Sequence, residues 1–333
     1  EANDTPWALH KEVHISCITK HITENAVNSN IIIGNPVLIF IILYGTIFFC
    51  MIEWMRLSLY FYYRKDLKFM IKLIASDIDG TLVKDGTLAI DREYMDVVGR
   101  LVDKGVVFVA CSGRQYRSEK KLFAPVADKM LFVSDGGTVV RTPKEILKVD
   151  SMSDEVWKGM CSMVRESMPS CDYFISTPEC CFAEDGGSRM FHWLRDSYGY
   201  DIYEVPEMLK LEEQQVIKFA VYHPNACEEM CAPLFTPTWK DKAVMAAAGK
   251  EWMDCSAPGS GKGPSIAFLQ EYLGIAPDET CTFGDNLNDI EMLKNAGLSY
   301  AVSNSRPEVW AAAKDICPPY WENGVLQVLK SFL

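Results

Sequence analysis

The sequence predicts an α/β fold: a Rossmann-like core built on a parallel sheet, with an α+β module inserted into it. Three observations carry this. Short, largely apolar runs at 71–76 and 106–111 flank an amphipathic helical stretch at 91–104, and strands apolar on both faces belong to a helix-covered parallel sheet. The pattern breaks near Pro143 and resumes at Gly261-Lys262-Gly263. Between those points strand-like and helix-like pieces mix, as in a module placed within another domain.

Residues 1–69 differ in character from the rest of the chain. The run 31–51 is nearly all apolar and uncharged, long enough to cross a bilayer. Arg56, Arg64, Lys65 and Lys68 come after it, the asymmetry of a single anchor that keeps the body in the cytoplasm. Against this, Met70 stands immediately before the first core strand. The expectation is a cytoplasmic protein starting at Met70; the alternative is a single-pass membrane protein.

In 91–104, Asp91 is placed to cap a helix, Tyr94, Val98, Leu101 and Val102 form its stripe, and Gly105 closes it. The strand at 106–111 ends in Ser112-Gly113-Arg114, a helix reaches about 124, and a third strand covers 130–134. Asp135-Gly136-Gly137 then turns the chain into a hairpin at 138–141. In the inserted part, 143–256, a helix is marked by Val156, Trp157, Met160, Met163 and Val164. Strands are expected there at 172–176, 216–222 and 243–248, and a helix at 226–234. The core returns with a helix through Ile266, Leu269 and Leu273, a strand at 280–283, and a helix through Ile290 and Leu293. A strand at 298–302 and helices at 307–314 and 324–332 complete it.

The net charge is −12, and residues 1–70 hold as many acidic as basic side chains, so 71–333 carry all of it. Such a body has no basic footprint for nucleic acid, and any anion it binds needs a local device. The twelve cysteines do not form a disulfide framework. Cys111 and Cys281 sit in apolar runs as small hydrophobes, and Cys227 and Cys231 lack the second pair of a zinc site. A reducing compartment is expected.

Chemistry gathers at strand ends, where open α/β sheets bind ligands. Asp77-Ile78-Asp79-Gly80-Thr81 places two carboxylates on one face, because strand side chains alternate. Like charges held that close call for a cation between them, or for one of them to be protonated. Ser112, Lys262 and Gly284-Asp285-Asn286-Leu287-Asn288-Asp289 stand at the other strand ends and at the return to the core. Gly259-Ser260-Gly261-Lys262-Gly263 is not a P-loop, since Ser256 and Gly263 occupy the places of its first Gly and its Ser or Thr.

This set, in this order, resembles the haloacid dehalogenase superfamily, and within it the Cof-type branch with a large inserted cap. The resemblance covers 71–333 and leaves out 1–69. It implies a core of 70–142 and 257–333 and a cap of 143–256. It makes Asp77 the nucleophile of an aspartyl-phosphate mechanism and Asp79 the general acid and base. Mg²⁺ would be held by the Asp77 carboxylate, the Asp79 backbone carbonyl and Asp285, with Asp289 supporting. Ser112, Lys262 and Asn288 would hold phosphoryl oxygens. The implied function is a phosphatase acting on a small-molecule phosphate ester such as a sugar phosphate. A phosphomutase and a membrane-anchored relative without turnover are the alternatives. One departure is Ser134-Asp135-Gly136-Gly137, where relatives usually carry Asn-Gly.

Overall fold

In the computed structural model, which describes residues 71–248 and 250–333, strand β1 (Leu73–Ser76) is buried along its whole length. Its side chains alternate between two covered faces. Leu73 and Ala75 join Ile266, Leu269 and Met292 on one side, while Ile74 meets Tyr94, Phe108 and Phe132 on the other. The sequence continues this sheet through β2 (Val107–Cys111), β3 (Leu131–Ser134), β4 (Val139–Arg141) and β5 (Ile146–Val149). A second sheet comes next, made of β6 (Asp172–Ser176), β7 (Cys181–Ala183), β8 (Ile202–Glu204), β9 (Lys218–Tyr222), β10 (Val244–Ala248) and β11 (Trp252–Ser256). The chain then returns to the first sheet with β12 (Thr280–Gly284), β13 (Leu298–Val302) and β14 (Asp315–Cys317).

The first sheet has the order β14-β13-β12-β1-β2-β3-β4-β5, parallel from β14 to β3 and antiparallel for its last two strands. This is the expected α/β core. The chain steps outward from β1 through β2 and β3 on one side and from β12 through β13 and β14 on the other, so a crevice opens between the carboxyl ends of β1 and β12. The helix Arg92–Asp103 starts at the expected cap, with Asp91 Oδ1 accepting the Glu93 N–H at 2.9 Å. It buries Tyr94, Val98 and Leu101 against the sheet and the helix Gly324–Lys330.

The second sheet has the order β10-β11-β9-β6-β7-β8. The helices Asp154–Ser167 and Cys227–Trp239 cover one face, burying Trp157, Met160, Phe219 and Phe235. Phe174, Ala220 and Tyr222 line the other with Met190, Phe191 and Leu194.

Several elements differ from expectation. Strand β5 extends the first sheet past 143. The helix expected at 226–234 runs to Trp239 with Pro233 and Pro237 inside it, and Phe235 and Trp239 from this last stretch pack into the core of the second sheet. The helix expected at 307–314 ends at Ala312, which frees β14 to form. The strands β7, β8 and β14 span three residues each, too few for alternation to show in a sequence. Among the described residues no helix is long and apolar enough to cross a membrane. The run 31–51 and the expected start at Met70 lie outside the described residues.

Candidate active site

The carboxyl end of β1 delivers Asp77, whose N–H extends the ladder to the Phe283 carbonyl at 3.0 Å. The chain turns at Gly80, at φ +82°, where a Cβ would stand 2.4 Å from Asp285 Oδ2. Only glycine gives both the left-handed turn and that approach. The turn brings Thr81 back, and its hydroxyl lies 3.0 Å from Asp77 Oδ2 and 3.0 Å from Asp285 Oδ1, sharing one proton between them. Asn304, beyond β13, holds the same loop by donating to the Gly80 carbonyl at 2.8 Å.

Lys262, first residue of the helix Lys262–Leu273, reaches in from the other side. Its Nζ sits 2.6 Å from Asp77 Oδ1 and 2.7 Å from Asp289 Oδ1, and all three side chains are buried. Burial works against the Lys262 charge, but Asp289 and Asp77 outweigh it and hold its pKa well above the ordinary value. Asp289 uses its other oxygen to accept the backbone N–H groups of Asp285 and Asn286, each at 3.0 Å, which fixes the loop after β12.

Asp77, Asp285 and Asp289 each offer a carboxylate oxygen within 4.8 Å of the others. Burial, Asp77 and Asp289 push the Asp285 carboxyl up to about 9. Three acids with one lysine among them form an oxygen-only donor set with excess negative charge, which a hard cation relieves. The Asp79 carboxylate is not in this group. Arg114 grips it with two parallel hydrogen bonds, and the Gly86 N–H adds a third at 3.3 Å. Burial raises the Asp79 pKa and outweighs the lowering by Arg114.

A cavity of about 310 Å³ opens over these groups. Asp77, Asp79, Ser112, Lys262, Asp285 and Asn288 all line it, so the sequence-predicted residues converge, with Asp289 buried behind. Ser112 is buried and accepts the Arg114 N–H at 3.2 Å, while Asn288 is exposed at the rim. The other wall comes from the second sheet and its connections, including Tyr198, Tyr200, Lys218 and Asp254.

Sequence reasoning gave no role to Arg114 or Lys218. Arg114 is 1% exposed, and its guanidinium lies 5.0 Å from the centre of the Tyr198 ring. Lys218 is buried in β9, with Nζ 3.1 Å from Asp135 Oδ1 and donating to the Gly113 carbonyl at 2.8 Å. Asp135 takes φ +50°, a conformation that Asp and Asn tolerate, so the departure from Asn at this position supplies a charge partner for Lys218. A lysine inside a wholly apolar strand was the available signal.

Residues 74–329 match the family of haloacid dehalogenase-like hydrolases. The chain belongs to this family. A crystal structure from Eubacterium rectale is 64% identical, covers 79% of this hydrolase and 100% of its own chain, and gives a TM-score of 0.73. A 5-amino-6-(5-phospho-D-ribitylamino)uracil phosphatase of Escherichia coli is 28% identical over 267 residues, 79% of this chain and 96% of that protein. The structure of a subclass IIB sugar phosphatase, BT4131, is 21% identical with a TM-score of 0.65 over 78% of this chain and 98% of its own; that likeness shows the fold.

Proposed function

We propose that this hydrolase is a Mg²⁺-dependent phosphatase that cleaves a small phosphate monoester through a phosphorylated Asp77. The observation that carries the reading is the Asp77 carboxylate at the sheet's switch point, with Lys262 at 2.6 Å and Asp285 sharing its Thr81 partner. Phosphoryl transfer asks the protein for positioning and charge stabilisation. Asp77 attacks phosphorus in line while Lys262 and the Ser112 loop hold the phosphoryl oxygens, with Asn288 at the rim. Asp79, whose pKa burial raises, gives a proton to the leaving oxygen, then takes one from the water that attacks the aspartyl-phosphate. Arg114 aims it throughout. Asp77 and Asp285, with the Asp79 backbone carbonyl, would hold Mg²⁺, and Asp289 fixes their loop; when bound, the ion neutralises charge on the transferring group. The part of 143–256 that follows β5 acts as a cap that closes the cavity against water.

The named phosphatases among the relatives support the class. The test is release of inorganic phosphate from p-nitrophenyl phosphate in the presence of Mg²⁺, with mass spectrometry of the quenched enzyme. A gain of one phosphoryl group on the peptide containing Asp77 is expected. Turnover with no such species, or with label elsewhere, overturns the reading.

A further inference from the structure

The second-sheet wall of the cavity is set by strand register. Residues 252 and 254 share a face of β11, and Asp254 is paired with Ala220, which is in turn paired with Phe174 on β6. The small Ala220 leaves a trough between an acidic side and an aromatic one. Phe174 and Trp252 meet edge to face at 5.9 Å and form the aromatic side. Asp254 overhangs the loop after β2, where a Cβ on Gly113 would come 4.0 Å from its Oδ2. Its ion-pair partner among the described residues is Lys218, at 3.8 Å, beyond hydrogen-bond reach.

The cations lining the cavity are Arg114, Lys218 and Lys262, and each is paired with at least one carboxylate, while the buried Nη1 of Arg114 has no hydrogen-bond partner. Arg114 serves Asp79, Lys262 bridges Asp77 and Asp289, and Lys218 serves Asp135 and the Gly113 carbonyl. The second-sheet wall therefore offers an acceptor and aromatic surface, and the cation on it, Lys218, is paired with carboxylates.

We propose that Asp254 reads the alcohol part of the substrate: it accepts a hydrogen bond from a hydroxyl there while Trp252 and Phe174 take an apolar face. The preferred substrate is then the monophosphate of an uncharged polyhydroxylated alcohol. An ester bearing a second phosphate or a carboxylate meets Asp254 as a like charge and is rejected. This rests on the phosphatase reading and adds the residue that selects among phosphate esters.

The experiment measures kcat/KM for aldose and alditol monophosphates, each beside its bisphosphate or phosphorylated-acid counterpart. It uses the wild type and Asp254→Asn, with melting curves to verify folding. The wild type is expected to favour the neutral member by about tenfold or more, and Asp254→Asn to bring the ratio within about threefold of unity. Asp254→Ser serves if the amide variant does not fold. A wild-type ratio near or below one overturns the proposal, as does a ratio that neither folded variant moves. With p-nitrophenyl phosphate turned over by the wild type, such a result removes Asp254 as the reader and leaves the phosphatase reading standing. No phosphate release from any ester removes both.

Discussion

The Arg114 guanidinium holds both carboxylate oxygens of Asp79, with Nε 2.7 Å from Oδ2 and Nη2 2.6 Å from Oδ1. Lysine cannot reproduce that fork. Arg114→Lys is expected to lower kcat on an alkyl phosphate by about tenfold or more, because Asp79, the proposed proton donor, loses its aim. The loss should shrink with p-nitrophenyl phosphate, whose leaving group needs little protonation. Equal losses on both would show that Arg114 acts elsewhere.

Asp77→Asn should release no measurable phosphate while its melting temperature stays near or above the parent's. An amide is a poor nucleophile, and the exchange removes one of the carboxylates crowding the site. Steady-state turnover by the folded variant near the parent's rate would exclude Asp77 as the nucleophile.

Mg²⁺ should raise the melting temperature of the chelated protein and restore activity lost to EDTA. At a free concentration 100 times its Kd, one site adds about 2.7 kcal/mol. Asp285→Asn should abolish that gain, and without metal it should melt above the parent, since the neutral amide relieves a buried carboxyl pushed up to about 9. Calorimetry with and without Mg²⁺ decides both.

Lys262→Met should destabilise the metal-free protein by about 3–5 kcal/mol, the usual cost of leaving buried carboxylates without their partner. Two of them, Asp77 and Asp289, face Lys262 at 2.6 and 2.7 Å. Denaturant unfolding measures this. A loss under about 1 kcal/mol would mean that the cluster finds its compensation elsewhere.

The core was legible because fully buried parallel strands leave unbroken apolar runs, and because the site residues stand at the ends of those runs. Asp77, Ser112, Lys262 and Asp285 could be placed from motif order alone. Arg114 was adjacent to a recognised motif, but nothing local says that it turns back to Asp79; that pairing depends on the tertiary path of the 77–87 loop. Lys218 and Asp254 were harder, since they gain meaning only when β9 and β11 register side by side and face the cavity. The strands β7 and β8 escaped because three residues cannot display a period.

Inserting the second sheet also sets a timetable for synthesis. Leu73 pairs with Val107 on one side and with Thr280 on the other. At about 5–20 residues per second, roughly 10 to 40 s separate translation of β1 from translation of that second neighbour. Strands β6 to β11 are all made within that interval, and the edge of β1 meant for β12 waits unpaired. An open, apolar edge in a nascent chain is a template for wrong pairing. Expression of this protein should therefore depend on chaperone supply and translation speed more than its finished stability would suggest.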